Sequence, residues 1–184
     1  TSGYGIANAF VRRYLEDHPA ETVGLIPCAV GGSNSATWSP EDGAPDPVGA
    51  NYRHALKRAR LAQKCGKIVG ILWHQGESDV ELLKKDFGHG DRYAARLVAL
   101  AAALRRELGC PDVPFLVGEI GTLPVRCTVM NPVLAAAASA IPNGKLVKAS
   151  DLTGHLSDGI HFDTPSYKVL GERYYEAWKE YDGE

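Results

Sequence analysis

The chain has 184 residues, of which 45% are hydrophobic, and a formal net charge of −2 at pH 7. This length suits one folding unit with a sizeable core, since single cores usually serve chains of about 100–200 residues. The balanced charge gives no electrostatic reason to expect nucleic acid as a partner, and the longest strongly apolar run, residues 97–104, is far shorter than the roughly 20 residues that span a membrane.

Helical and strand-like patterns alternate along the chain. Apolar periodicity predicts helices over residues 6–15, 52–64, 92–108, 133–141 and 167–179, and short apolar runs predict strands over residues 23–30, 68–74, 115–120 and 146–150. Strands that alternate with helices are typical of an α/β fold, in which a doubly wound parallel sheet carries helices on both faces. We therefore predict one such domain over residues 1–184.

The order of these elements is unusual, because the chain begins with a helix and not with a strand. In flavodoxin-like sheets the first strand lies inside the sheet, so its loss would leave the backbone groups of both neighbours unpaired. We therefore expect the domain to be N-terminally incomplete, with its first strand missing from this chain. The alternative is a sheet of four strands in another order.

Paired glycines directly follow the first predicted strand. Gly31 and Gly32 allow backbone N–H groups to turn toward a ligand with no side chain in the way. Such donors suit an oxyanion hole, which stabilises the negative charge that develops during acyl transfer. On the glycines alone, an ordinary tight turn is the simpler interpretation.

A dense cluster of polar residues follows the second predicted strand. His74, Gln75, Glu77 and Asp79 come directly after its apolar residues, and ligands meet a parallel sheet just beyond the carboxyl ends of its strands. Gln75 is our candidate side-chain donor to an oxyanion, and the two carboxylates can fix surrounding groups by accepting hydrogen bonds. His74 is interpreted either as a wall of the site or as a buried histidine. An exposed loop is the alternative for the whole cluster.

A third cluster places Asp158 three residues before His161, ahead of the final helix. A histidine activates a serine only when a nearby carboxylate holds its other ring nitrogen in the correct tautomer. His161 is therefore the candidate general base and Asp158 its orienting acid, with His155 and Asp163 as local rivals. Taken alone, this spacing also fits a solvated loop.

The sequence gives little support to metal or thiol chemistry. The carboxylates and histidine of the clusters could in principle hold a divalent ion, but no His-Glu-x-x-His spacing occurs. The cysteines are scattered, without a Cys-x-x-Cys pair, and are expected to be buried free thiols: Cys28, Cys65, Cys110 and Cys127. We predict no cofactor.

Three stretches, residues 24–33, 70–79 and 158–161, together resemble the carbohydrate esterase family 6 and sialate O-acetylesterase-like branch of the SGNH hydrolases. The resemblance extends over nearly the whole chain, and the Trp-His-Gln-Gly-Glu-Ser-Asp sequence is its most specific part. It implies a flavodoxin-like SGNH fold and the removal of O-acetyl groups from a carbohydrate such as xylan, without a cofactor.

The resemblance also implies a role for each candidate residue. By motif position these are the triad acid Asp158, the base His161, the backbone donor Gly31 or Gly32, the side-chain donor Gln75 and the auxiliary carboxylate Glu77. The chain departs from the family at the nucleophile, because the Gly-Gln-Ser-Asn-type sequence that follows the family's first strand has no match here. The serine is therefore expected in an upstream segment or in a complementing chain.

Two functions of different classes stay open at this point. The first is a serine-type carbohydrate O-acetylesterase that acts on an acetylated glycan. The second is a noncatalytic carbohydrate-binding or interaction protein that kept the pocket and lost its nucleophile. Four serines of the chain lie before the first helix or in supporting turns, and none of them is proposed as the nucleophile: Ser2, Ser33, Ser35 and Ser78.

Overall fold

The computed structural model describes residues 3–41, 47–121 and 128–181. Its helices and strands, in chain order, are α1 (Ile6–Asp17), α2 (Ala50–Ala62), β1 (Ile71–Trp73), α3 (Val80–Lys85), α4 (His89–Leu108), β2 (Phe115–Gly118), α5 (Asn131–Ala140), β3 (Gly144–Val147) and α6 (Thr164–Lys179). Short 3₁₀ turns precede α2 and α3, at Ser35–Trp38 and Glu77–Asp79. All five predicted helices are confirmed, and the short helix α3 was not predicted.

The three strands form one parallel sheet in the order β1-β2-β3. Phe115 of β2 lies opposite Ile71 on one side and opposite Gly144 on the other. All four residues of β2 are buried, as expected for a strand with neighbours on both sides. Parallel strands connected through helices confirm the predicted α/β fold.

Hydrophobic clusters cover both faces of the sheet. One cluster contains residues of α2, α4 and α5, and the other contains residues of α1 and α6. Val117 belongs to the first cluster and Leu116 to the second, because successive side chains of a strand point to opposite faces. In the second cluster, the ring of Phe10 lies 5.8 Å from that of Tyr175 and 6.0 Å from that of Trp178. Helices therefore pack on both faces of the sheet.

Local sequence signals explain where α4 and α6 begin or end. Asp163 caps α6, because its side chain accepts a hydrogen bond of 2.9 Å from the N–H of Ser166, and a proline occupies the first turn. α4 ends at Gly109, whose φ of 63° is the left-handed conformation that glycine adopts at little cost. The cap at Asp163 and the proline make α6 begin directly after the loop that carries the candidate base His161.

The prediction of a strand over residues 23–30 is wrong, because these residues join no ladder and have no regular secondary structure. They nevertheless pack as a strand would. Val23 contacts the α1/α6 cluster, whereas Ile26 and Cys28 contact the other cluster. A strand needs a hydrogen-bonded neighbour, and no described residue pairs through its backbone with residues 22–29.

β1 forms one edge of the sheet. Ile71 and Leu72 are only half-buried, in contrast with the fully buried residues of β2. The N–H of Ile71 donates to the carbonyl oxygen of Pro114 on the β2 side, so the backbone N–H and C=O of Leu72 point to the opposite, open side. An open edge beside the unpaired segment of residues 23–30 agrees with the expected absence of the first strand.

Candidate active site

Three loops meet beyond the carboxyl end of β1. We refer to them as the glycine turn (residues 30–35), the Gln-Gly-Glu loop (residues 74–79) and the Asp-His loop (residues 158–162). The first two are joined by hydrogen bonds that Gln75 donates to Ser33 and that Asp79 accepts from Ser35. The second and third are joined by the ring of His74, whose centroid lies 6.1 Å from that of Phe162. The three sequence clusters therefore share one rim of the sheet.

Asp158 and His161 form a hydrogen-bonded pair. Nδ1 of His161 lies 2.7 Å from Oδ2 of Asp158, and Oδ1 accepts from the N–H groups of Ile160 at 2.8 Å and His161 at 3.0 Å. These bonds favour the charged form, so the pKa of Asp158 lies well below its usual range, with the hydrogen bond to His161 as the largest cause. Gly159 has a φ of 65°, which allows the tight turn between the two residues.

The Asp-His pair is open to solvent, with 58% of the His161 side chain and 43% of the Asp158 side chain exposed. Its two local rivals have other contacts. Asp163 caps α6, and Nδ1 of His155 lies 2.9 Å from the carbonyl oxygen of Thr153. Asp158 and His161 are therefore the pair whose geometry fits an oriented and accessible base.

His74 is a buried link between two of the loops. Its ring lies 6.2 Å from that of Tyr167, and neither ring nitrogen has a hydrogen-bond partner among the described residues. Burial is the largest cause that lowers the pKa of His74; the nearby Glu77 opposes this effect and His161 adds to it. Of the two interpretations of His74, the buried histidine describes these contacts better.

Glu77 begins the 3₁₀ turn after the glycine of the Gln-Gly-Glu loop. Burial raises the pKa of Tyr167 to about 12, and the charges of Glu77 and Asp158 act in the same direction. Tyr167 therefore lies within electrostatic range of both carboxylates. Sequence reasoning missed Tyr167, because it stands inside a helical pattern with no local sign of a site.

Gln75 uses every polar atom of its side chain. Nε2 donates to the carbonyl oxygen of Ser33 at 3.0 Å and to Oδ2 of Asp79 at 2.8 Å, and Oε1 accepts from the hydroxyl of Tyr93 at 2.9 Å. An amide nitrogen carries two hydrogens, so both are engaged. Gln75 can donate to an oxyanion only by releasing one of these bonds, and its role as a donor stays a prediction.

Asp79 is fully buried and lies at the centre of the hydrogen bonds between the loops. Oδ2 accepts from the N–H of Ser35 at 2.9 Å, Oδ1 accepts from the Ser35 hydroxyl at 2.7 Å, and Nε2 of His89 lies 2.8 Å from Oδ1. The sequence indicated that Asp79 accepts hydrogen bonds but gave no sign of its partners. Ser35 lies 44 residues away and His89 opens α4, so only the tertiary structure brings them to this carboxylate.

The paired glycines form a tight turn, as the simpler interpretation predicted. The N–H of Ser33 donates to the carbonyl oxygen of Val30 at 3.3 Å, and Gly32 has a φ of 71°. Neither glycine N–H has an acceptor within residues 3–41, 47–121 and 128–181. Trp38 contacts the turn through Nε1, which donates to the Ser33 hydroxyl at 3.1 Å. The turn therefore leaves two backbone donors available at the rim.

Other chemical groups contribute little to this rim. In the part of the chain that the structure describes, no group of three or more His, Cys, Asp or Glu residues is arranged to hold a metal ion, and no helix is long and apolar enough to cross a membrane. Burial raises the pKa of the half-buried thiols Cys28 and Cys110, whereas Cys65 is exposed. Ser2 and Cys127 lie outside the described residues.

Comparisons with known proteins identify the family of this chain and support its fold. A family model described as carbohydrate esterase, sialic acid-specific acetylesterase matches residues 1–180. A protein of Arabidopsis thaliana named "Probable carbohydrate esterase" is 36% identical over 115 residues, which are 62% of this chain and 39% of that protein. The 1.6 Å X-ray structure of an Arabidopsis thaliana protein superposes with a TM-score of 0.75 at 26% identity and covers 95% of this chain. The chain spans 66% of that solved structure and well under half of the curated relative.

Proposed function

The chain belongs to the carbohydrate esterase, sialic acid-specific acetylesterase family, and from this membership we propose that it forms part of a serine-type carbohydrate O-acetylesterase. The substrate is an acetylated glycan such as acetylxylan, and the products are acetate and a free sugar hydroxyl. The observation that carries the proposal is the accessible Asp158–His161 pair at the same rim as the glycine turn and Gln75. No cofactor takes part.

His161 transfers protons in both halves of the reaction. Asp158 holds Nδ1, so Nε2 is the nitrogen that takes the proton from the serine hydroxyl while the serine oxygen attacks the acetyl carbonyl. The same proton then passes to the sugar oxygen, which leaves as an alcohol. In the second half His161 takes a proton from water, the water oxygen attacks the acyl-enzyme, and acetate is released with the serine restored.

We propose that the serine comes from a strand outside residues 1–184 that lies between β1 and residues 23–30. Both flanking segments send alternate side chains into the two clusters, as strands of one sheet do, yet no backbone hydrogen bond between described residues joins them. A strand paired with both segments would satisfy the backbone groups that face away from β2 at this edge. A strand parallel to β1 would end at the rim, beside the glycine turn and the Asp-His loop.

Two serines near the glycine turn have hydroxyls that are already engaged. The Ser35 hydroxyl is buried against Asp79, and the Ser33 hydroxyl accepts from the indole of Trp38. These contacts support a nucleophile that comes from elsewhere.

The oxyanion is stabilised by the N–H groups of Gly31 or Gly32 and by Gln75. The glycine donors are available, and Gln75 joins them by releasing the carbonyl oxygen of Ser33. Loss of one preorganised donor typically costs about 3–4 kcal/mol in the barrier of an acyl transfer. The charge of Glu77 acts to raise the pKa of His74, which supports a role of Glu77 as an auxiliary carboxylate at the rim.

The experiment compares p-nitrophenyl acetate hydrolysis by the 184-residue chain with that by a version extended at its N-terminus by an apolar strand and a Gly-Gln-Ser-Asn turn. We expect ester hydrolysis in the extended version, lost when the added serine is replaced by alanine and lost in His161→Ala. Hydrolysis that survives His161→Ala would remove His161 as the base. An extended version that binds acetylated xylo-oligosaccharides without hydrolysing them would favour the noncatalytic binding protein.

A further inference from the structure

We infer that Asp79 is a positioning residue that holds one amide hydrogen of Gln75 and both polar groups of Ser35, so that Gln75 and the glycine turn face the reacting carbonyl as one rigid unit. The catalytic part of this inference rests on the proposed function. Its structural part rests only on the hydrogen bonds of the described residues.

The buried carboxylate of Asp79 has hydrogen-bond partners on both of its oxygens. A buried carboxylate is costly unless donors satisfy its oxygens, and Asp79 has no exposed surface. Two contacts on each oxygen meet this demand: the N–H of Ser35 and Nε2 of Gln75 on Oδ2, and the Ser35 hydroxyl and His89 on Oδ1. The donors come from both loops and from α4, so one carboxylate fixes three parts of the chain.

The groups around its side chain determine which way the Gln75 amide faces. The carboxylate of Asp79 and the carbonyl oxygen of Ser33 can only accept hydrogen bonds, so Nε2 must face them. Oε1 then faces the hydroxyl of Tyr93, which lies 2.9 Å from Oε1 and 2.9 Å from the carbonyl oxygen of Gln75 and accepts from Nε1 of Trp73 at 3.1 Å. Burial raises the pKa of Tyr93 well above its usual value, so the hydroxyl keeps the one proton that these two oxygens share.

The two acceptors of Nε2 differ in charge. The bond to Asp79 is charge-assisted, and such bonds are roughly twice as strong as those between neutral groups. The neutral carbonyl oxygen of Ser33 is therefore the partner that gives way when an oxyanion forms nearby. In this arrangement Asp79 retains one hydrogen of Gln75 and leaves the other for the substrate.

The same carboxylate sets the position of the glycine turn. Ser35 closes the turn and is anchored to Asp79 through its N–H and its hydroxyl, while the Ser33 carbonyl is bonded to Gln75. Loss of the Asp79 carboxylate would break both bonds to Ser35 and would also free the Gln75 amide that holds the Ser33 carbonyl. Because the oxyanion exists only near the transition state, such a loss should reduce kcat and leave KM nearly unchanged.

The structural part is tested by hydrogen exchange of the glutamine side-chain amides, followed by NMR in the 184-residue chain. The only other glutamine, Gln63, donates one described bond to the carbonyl oxygen of Leu108 and serves as internal reference. We expect the Gln75 amide hydrogens to exchange at least about tenfold more slowly than those of Gln63. Both hydrogens of Gln75 are bonded inside the structure, whereas Gln63 has one such bond. Equal exchange rates in the unmodified chain would overturn the inference without any variant.

Asp79→Asn keeps the size of the side chain but replaces one acceptor with a donor. We expect it to abolish the slow exchange of Gln75 and leave Gln63 unchanged. The matched control is Asp91→Asn, the same chemical change at an exposed position in the first turn of α4. Slow exchange that persists in Asp79→Asn would overturn the role of Asp79.

The catalytic part is tested in the version that carries the serine strand. Asp79→Asn should lower kcat by about 10²-fold, the cost of one lost oxyanion donor, with KM within about twofold. In a Gln75→Ala background the same substitution should cost less than it does alone, because only the anchor of the glycine turn at Ser35 is then left to lose, whereas a purely structural role would give additive losses. If no version hydrolyses the ester, the proposed esterase fails, and the exchange measurements still decide whether Asp79 positions Gln75.

Discussion

The two aspartates of the rim, Asp158 and Asp79, hold their hydrogen bonds in opposite surroundings. Asp158 is 43% exposed, and its partners lie within three residues of it. Asp79 is fully buried, and its partners come from the glycine turn, the Gln-Gly-Glu loop and α4. The comparison indicates two different roles. The exposed Asp158 orients His161, the candidate base, whereas the buried Asp79 holds the loops around the site in place.

Replacement of the exposed carboxylate should give the largest effect on activity. In the version with the serine strand we expect Asp158→Asn to lower kcat by about 10⁴-fold, because an amide no longer holds His161 in the tautomer that accepts the serine proton. Stability should hardly change, since the loop is exposed and its bonds are local. Steady-state kinetics and thermal unfolding of the same sample check both parts.

The contrast between an exposed functional aspartate and a buried structural one would be contradicted if Asp158→Asn unfolded the domain, or if kcat fell less than about tenfold. Asp163→Ala is a useful companion variant in the same region. It removes the side-chain cap of α6 and leaves the Asp158–His161 bond intact. Its effect on kcat should therefore be small beside that of Asp158→Asn.

Removal of the buried carboxylate should give the largest effect on stability. Asp79→Ala leaves the buried groups of Ser35, Gln75 and His89 without their acceptor, and loss of one member of a buried pair typically costs about 3–5 kcal/mol. Urea unfolding measures this free energy. The surface control Asp91→Ala should change it by no more than about 0.5 kcal/mol, and a cost below about 1 kcal/mol for Asp79→Ala would refute the idea of a structural centre.

The same contrast explains what the sequence could predict. The Asp158–His161 pair spans three residues, so spacing alone was enough to propose it, and the polar cluster after β1 was visible because an apolar run ends there. The partners Ser35 and His89 of Asp79 were not visible. Their contact depends on how α4 packs against the glycine turn, and no local pattern encodes that distance.

The wrong strand prediction has a related cause. Residues 23–30 carry a β-type pattern, and the alternate burial of Val23 and Ile26 follows it. Strand structure, however, requires a partner in the sheet, and the strand preference of a sequence depends on that context. The alternating pattern agrees with side chains that contact both clusters, but it could not show that the segment lacks backbone hydrogen bonds.

Gly32 provides a moderate test of the frame that Asp79 supports. Its φ of 71° lies in the left-handed region, so we expect Gly32→Ala to cost about 1 kcal/mol of stability, although no neighbouring atom would meet the added methyl group. Gly31→Ala is the matched control, because Gly31 has equally open surroundings and no positive φ. Equal stabilities of the two variants in urea unfolding would show that the turn relaxes freely and is not held in place.

The smallest expected effect concerns the pH dependence of stability near Asp158. Hydrogen bonds from His161 and from backbone N–H groups lower the pKa of Asp158 in the folded state from its ordinary value of 3.8. A lowered folded pKa stabilises the fold above the unfolded pKa, and this contribution is lost as the pH falls through the folded pKa. Asp158→Asn should therefore flatten the loss of stability below about pH 4, measured by urea unfolding at a series of pH values. Asp91→Asn is the control at an exposed carboxyl. If Asp158→Asn leaves the acid side of the profile unchanged, the hydrogen bond to His161 does not form in solution, and the exposed aspartate loses its assigned role while the buried one keeps its own.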